Sequence, residues 1–291
     1  MTPAERWHKT ESSWPLAASS RFVDAGGLTF HVQINGQGPD VLLLHGAGSS
    51  SHSFAGITRL LAEDYRLIAP DLPGQGFSSL VDPGAAGLAQ FTEALTQLLT
   101  QLDADPVALI GHSAGAALAA QFALTTRRPL KGILGINPAF TPFGATAAPF
   151  FSTAARWLSR SEWLPKILAS PALRWRATAS MLSDTGSRID AEMSRCYETL
   201  LSNPEHIAGT LRMMAGWDLP PLLAKLAELP CPMWLIACEA DKTIPPARAL
   251  SVASELPMAV TRTLAGLGHL GHEEAPERFV TLFREMTTVE R

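Results

Sequence analysis

Cysteine is scarce, with three residues, at 196, 231 and 238, in a chain of 291. An odd number without metal-ligand spacing favours structural thiols in a reducing compartment. Excess charge is also missing. The formal net charge of −4 provides no global attraction to nucleic acid or to an anionic membrane, so no nucleic-acid partner is expected. The first residues, Met-Thr-Pro-Ala-Glu-Arg-Trp-His, lack the basic-then-apolar order of a secretion signal. The longest apolar stretch, around Val107 to Leu124, is interrupted by His112, Ser113 and Gln121, which argues against a transmembrane segment. Neither an internal repeat nor a low-complexity tract is present. Together these absences lead to the expectation of a soluble cytoplasmic protein.

Apolar residues are plentiful. At 46% of the chain they suffice for the core of one α/β domain carrying an insertion. Residues 21–34 read as an antiparallel hairpin pivoting at Gly26-Gly27. Short apolar runs at 41–44, 65–69, 107–110, 131–136, 233–238 and 259–264 alternate with helical patterns at 53–62, 87–102, 114–127, 246–255 and 275–288. Alternation of this kind implies an α/β fold with a mostly parallel, doubly wound sheet covered on both faces. From about Ala139 to Leu229 the pattern is helical with no convincing strand. The expected organisation is an N-terminal arm (1–20), a core (21–138 and 230–291) and an inserted helical cap (139–229), entered at Asn137-Pro138 and left near Pro230.

Residues 109–118, Leu-Ile-Gly-His-Ser-Ala-Gly-Ala-Ala-Leu, place a Gly-x-Ser-x-Gly turn between a buried strand and a small-residue helix, the layout of a nucleophile elbow at Ser113. A serine hydroxyl needs a base, an orienting carboxylate and oxyanion donors to act as a nucleophile. Asp241 follows the apolar strand 233–238, with Glu239 as its competitor, and His269 lies in a Gly-bracketed loop, with His272 as its competitor. The expected catalytic set is Ser113, Asp241 and His269. An early strand ends in His45-Gly46-Ala47-Gly48, so the expected oxyanion donors are the Ala47 and Ala114 N–H groups, each worth about 3 kcal/mol in a site of this kind. His45 and His112 read as structural. No His or carboxylate cluster has metal-site spacing, so neither metal nor cofactor is expected.

The order Ser, Asp, His and the elbow give the chain a clear resemblance, from about residue 21 to residue 285, to the α/β-hydrolase superfamily. Ala69-Pro-Asp-Leu-Pro-Gly-Gln-Gly-Phe-Ser78 resembles that superfamily's loop after its fourth strand, with Asp71 read as structural. A narrower resemblance rests on Asp24-Ala-Gly-Gly-Leu-Thr-Phe-His-Val-Gln33, Thr185-Gly-Ser-Arg-Ile-Asp190 and His206-Ile-Ala-Gly-Thr-Leu-Arg-Met-Met-Ala-Gly-Trp-Asp-Leu219, with the Trp-containing arm and Gly-His-Ser-Ala-Gly-Ala. In these segments the chain is similar to the magnesium-chelatase accessory proteins of bacteriochlorophyll biosynthesis. That resemblance implies a role in photosynthetic tetrapyrrole metabolism and an association with magnesium chelatase, without fixing a reaction.

Three function classes follow. The first is an esterase-like serine hydrolase acting on a small molecule or a tetrapyrrole. The second is a non-catalytic porphyrin-binding accessory. The third is a general carboxylesterase, C–C hydrolase or cofactor-free haloperoxidase. Substrate preference is expected to reside in the cap, where Trp157, Trp163 and Trp175 stand with Arg156 and Arg174 as candidate substrate-binding residues for a flat anion. Packing offers a competing account that takes precedence: aromatics at helical spacing ordinarily face their own core, and arginines a solvated surface. Weak contact of the cap with a membrane surface ranks behind both.

Overall fold

The computed structural model describes residues 2–126, 128–141, 161 and 163–288. Eight strands form one sheet: β1 (Ser20–Ala25), β2 (Leu28–Asn35), β3 (Asp40–Leu44), β4 (Arg66–Pro70), β5 (Pro106–His112), β6 (Ile133–Ile136), β7 (Met233–Cys238) and β8 (Ala259–Leu264). Their spatial order is β1-β2-β4-β3-β5-β6-β7-β8. β1 and β2 make the expected hairpin, turning at Gly26 and Gly27 with φ of 60° and 76°, values that glycine adopts without a Cβ penalty. β2 also pairs antiparallel with β4, while every pairing from β4 through β8 is parallel.

Parallel strands buried on both faces read as continuous apolar runs because alternate side chains enter different cores. In β3, Leu42 and Leu44 join one core and Val41 and Leu43 the other. β7 divides in the same way, with Met233 and Leu235 opposite Trp234 and Ile236. Helix α1 (Pro3–His8) precedes the sheet, and α2 (Ala55–Leu61), α3 (Leu88–Gln101) and α4 (Ala114–Thr125) follow its early strands. Between β6 and β7 the described elements are all helical: α5 (Leu164–Leu168), α6 (Pro171–Asp184), α7 (Ala191–Leu201), α8 (Pro204–Gly216), α9 (Pro220–Leu223) and a 3₁₀ turn at Leu226–Glu228. α10 (Pro246–Ala249), α11 (Gly271–Glu274) and α12 (Pro276–Thr288) complete the chain. α3 and α4 cover the first core, and α2 and α12 the second.

The helix expected over 246–255 is shorter than its pattern suggests. It stops at Ala249, and a 3₁₀ turn at Ala253–Glu255 replaces its second half. Ser251 Oγ donates to the Arg248 carbonyl at 2.8 Å, a local bond that competes with helix continuation. The three cysteines are buried. Burial pushes the Cys196 and Cys238 thiols up to about 12, so both stay protonated.

The N-terminal arm packs on its own chain. Trp7 lies over His31 with ring centroids 4.6 Å apart, and both Trp7 and Trp14 set an edge against Phe77 at 5.0 Å. Around them gather Met193, Cys196, Tyr197 and Leu200 of α7. Arg6 forms an ion pair with Glu205 of α8. The arm therefore straps the inserted helices to the sheet.

A second attachment is steric. Gly209 of α8 lies against Gly74, so closely that a Cβ on Gly209 would overlap the Gly74 carbonyl oxygen. Both partners there are backbone, which cannot yield as a flexible side chain does. Gly209→Ala should lower stability by about 1–3 kcal/mol, read as a lower urea midpoint, with the loss concentrated in protection of α8 amides from hydrogen exchange.

Candidate functional site

β5 ends at His112 and α4 begins at Ala114, so Ser113 alone makes the turn. Its φ of 52° and ψ of −117° are strained for a residue bearing a Cβ. Three hydrogen bonds hold it there: Ser113 N donates to the Ile136 carbonyl (2.8 Å), and the Ser113 carbonyl accepts from Ala116 N and Ala139 N (3.1 Å each). The flanking glycines are required by space. A Cβ on Gly111 would lie 2.5 Å from the Gly115 carbonyl oxygen, and one on Gly115 would overlap the Leu44 carbonyl.

Asp241 sits just beyond β7. Its Oδ1 accepts from Thr243 N and Ile244 N at 2.7 Å, and its Oδ2 accepts from His269 Nδ1 at 2.7 Å. Asp241, and not Glu239, is the carboxylate at His269. The His269 main chain is equally fixed: its N–H donates to the Thr185 carbonyl (2.9 Å), and its carbonyl accepts from Asn137 Nδ2 (2.8 Å) and His112 Nε2 (2.9 Å). The His269 ring lies 4.7 Å from that of His112, the residue before Ser113. Among the described residues no hydrogen bond joins Ser113 Oγ to His269.

The 45–48 loop is set by His45, whose Nδ1 donates to the Gly46 carbonyl (2.8 Å) while Nε2 accepts from Leu72 N (2.9 Å). Gly48 N donates to Gln75 Oε1 at 2.7 Å, and Ser49 N to the Gly46 carbonyl at 3.2 Å. Ala47 lies between Gly46, whose carbonyl takes two of these bonds, and Gly48, whose N–H is held by Gln75. Ala114 is the first residue of α4, so its N–H has no acceptor within the helix. Beneath the loop Asp71 accepts from His31 Nδ1 (2.8 Å), Ser51 N (2.7 Å) and Phe77 N (2.9 Å). Burial alone would raise this carboxyl, but His31 and the hydrogen bonds hold it well below the usual carboxylate range.

A second buried polar cluster joins α7 to α11. Tyr197 Oη donates to Glu273 Oε1 at 2.6 Å and lies 3.3 Å from Ser49 Oγ. Burial pushes the Glu273 carboxyl up to about 8, so it is mostly protonated at neutral pH. Burial also pushes His272 and His52 down to about 3, which leaves both rings neutral. His272 packs on His112, with ring centroids 4.4 Å apart, and is not a partner of Asp241.

Asn137, Thr185 and Gln75 position this site, and the sequence reading did not select them for it. The available signal for Asn137 was a polar residue directly after an apolar strand and before Pro138, a place where asparagine tolerates the φ of 43° found here. Among the proposed binding residues of the insertion, Trp157 and Arg156 lie outside the described residues. Trp163 and Trp175 are 58% and 69% exposed, so for these two the packing account is corrected: they face solvent. Arg174 is half-buried. Among the described residues no group of three or more His, Cys, Asp or Glu side chains is placed to hold a metal ion. No described helix is long and apolar enough to cross a membrane.

Residues 41–282 match the family model described as the alpha/beta hydrolase family. A protein of Rhodobacter capsulatus named magnesium-chelatase 30 kDa subunit is 38% identical over 268 residues, covering 91% of this chain and 93% of that protein. A 2-hydroxy-6-oxo-6-phenylhexa-2,4-dienoate hydrolase of Burkholderia cepacia is 26% identical over 282 residues, covering 90% and 94%. Among solved structures, a thermophilic esterase from Thermogutta terrifontis superposes with a TM-score of 0.75 at 22% identity, covering 91% of this chain and 97% of its own. The expectation of an esterase-like serine hydrolase is corrected by the first of these relatives, which is named for a chelatase and not for ester cleavage. Likeness to the esterase at 22% identity shows the fold alone, and one fold hosts many unrelated functions.

The Tyr197–Glu273 contact predicts a pH profile. Between the ordinary carboxylate range and about 8, the folded chain keeps a proton that the unfolded chain has released, so stability falls as pH rises through that window. Glu273→Gln should flatten this slope and raise the melting temperature relative to wild type above that pH, measured as Tm against pH for both proteins.

Proposed function

Starting from a chain that belongs to the alpha/beta hydrolase family, we propose that this member acts without turnover, as an accessory protein that binds a carboxylate-bearing tetrapyrrole at the magnesium-chelatase step. The observation that carries this reading is the 38% identity, over 91% of the chain, to a magnesium-chelatase subunit. The local chemistry supports it. Ser113 Oγ and the Ala47 and Ala114 N–H groups form a set of donors at the end of the central strands. The charge of a propionate arm suits donors held in a low-dielectric wall. His269 serves as a fixed polar neighbour. Its Nδ1–H is committed to Asp241 at 2.7 Å, and its Nε2 has no hydrogen-bond partner among the described residues.

In this role the insertion is a cap that selects the ligand, and the strained elbow presents the serine hydroxyl as a hydrogen-bond donor. Titration with protoporphyrin, Mg-free and Mg-loaded, should give saturable binding, seen as a shift of the Soret band. Ser113→Ala should retain the complex with affinity lowered by roughly tenfold, the worth of one hydrogen bond with the main-chain donors left in place. Neither protein should cleave a panel of p-nitrophenyl esters. Absence of saturable porphyrin binding, or ester turnover that disappears with Ser113, would overturn the reading.

A further inference from the structure

The insertion carries an exposed face that the site at Ser113 does not use. Among the described residues seven large apolar side chains are widely exposed, and four of them, Trp163, Ile167, Leu173 and Trp175, fall within one short stretch of α5 and α6. Trp163 and Ile167 are one helical turn apart, with Ile167 N donating to the Trp163 carbonyl at 3.1 Å. An ordinary surface helix buries an apolar stripe. α6 buries little of one: of its side chains described, Thr178 is the buried one and Met181 and Leu182 are partly buried against the cluster of Trp7 and Trp14, whereas Leu173 and Trp175 are exposed.

Up to the last residue of α6, Asp184, the charge along this stretch is of one sign. Lys166, Arg174 and Arg176 occur between residues 163 and 183 without a single Asp or Glu, on a chain whose formal net charge is −4. Lys166 and Arg176 are exposed, and Arg174 is half-exposed.

We propose that the outer face of α5 and α6 docks on the surface of an anionic bilayer. Positive charge against negative headgroups supplies the attraction, and on this acidic chain it also selects which face turns to the membrane. The tryptophan rings suit the headgroup boundary, and the lysine and arginine stems lie along it with their charges in water. Residues 173 and 175 lie on opposite sides of a helix, since positions two apart do not share a face. A rigid protein groove takes a stripe at three- and four-residue spacing, whereas a fluid lipid layer accepts anchors splayed to both sides. No described helix is long and apolar enough to span a bilayer, so the contact is with its surface. α6 leads directly into Thr185, whose carbonyl holds the His269 N–H. A ligand that partitions into lipid would thus be met by the helix that continues to the site. The docking goes beyond the proposed function and does not require it.

The test uses the full chain and porphyrin-free vesicles. Wild type should co-sediment with vesicles of equimolar phosphatidylcholine and phosphatidylglycerol at low salt. Binding should fall at least tenfold on pure phosphatidylcholine and in high salt. The surface variants Trp163→Ser/Trp175→Ser and Lys166→Glu/Arg174→Glu/Arg176→Glu should each lose binding at least tenfold while keeping the wild-type melting temperature. Failure of wild type to bind the anionic vesicles overturns the proposal, as does wild-type binding by both variants. Concentration-dependent dimerisation that the tryptophan variant abolishes, without vesicle binding, overturns it in favour of a second copy of the chain. Because no porphyrin is present, these outcomes are independent of the tetrapyrrole titration.

Discussion

The close approach of the first turn of α4 to the end of β3 is the constraint from which the site follows. Gly115 lies against the Leu44 and His45 carbonyls with no room for a Cβ, and Gly111 lies against Gly115 in the same way. With both neighbours pressed into backbone, the reversal from strand to helix falls on one residue, Ser113, at positive φ. Such a conformation persists only when its surroundings over-determine it. Here the Ile136 carbonyl and the Ala116 and Ala139 N–H groups do so. The same packing explains the helix composition: α4 is rich in alanine because nine of its residues are buried between the sheet and α3 and larger side chains would push it away.

Around this fixed point the remaining polar groups are held by their main chains as much as by their side chains. The His269 carbonyl accepts from both Asn137 and His112, and the His269 N–H reaches Thr185 in the insertion. His112 is a neutral ring, since burial and the neighbouring His272 and His269 push its pKa well down. Its Nε2 therefore carries the proton given to the His269 carbonyl, leaving a buried Nδ1 without a partner among the described residues. Deprived of a bond on one side, the ring is still retained, because its position ties the loop of β8 to the elbow of β5. Rigidity in this region comes from a network whose members span β5, β6, the insertion and the loop after β8.

The sheet, the elbow and the parallel strands were legible in the sequence because their signals are local. Six apolar runs and a Gly-x-Ser-x-Gly turn each fit within a few residues, and β7 and β8 occupy the expected positions 233–238 and 259–264. Long-range pairs were not legible. Asp71 with His31, Tyr197 with Glu273 and Arg6 with Glu205 join residues far apart in sequence, and no local pattern encodes which distant group meets which. Helical periodicity misread Trp163 and Trp175, because the period says that one face differs from another without saying what covers it. The assignment of activity failed for a related reason: the serine, histidine and aspartate pattern belongs to the fold, whereas the use made of it does not follow from the pattern.

The segments that carry the narrower resemblance have a common physical place. In Thr185–Asp190, Thr185 accepts from His269 N, Ser187 Oγ accepts from Leu270 N at 2.8 Å, and Asp190 caps α7. In His206–Leu219, His206 Nδ1 accepts from Gly76 N at 2.9 Å, Gly209 lies against Gly74, and Met213 Sδ accepts from Gln75 Nε2, whose own oxygen holds Gly48. Every one of these contacts, apart from the cap of α7, lies where the insertion meets a loop of the core. The fold itself is shared with a structure named as an esterase. The segments of the narrower resemblance are therefore concentrated at the attachment of the insertion to the core. On the proposed function, such attachments let a fold change its role without altering the residues at its strained turn: the insertion would govern what reaches the hydroxyl, while the turn remains because the packing of α4 requires it.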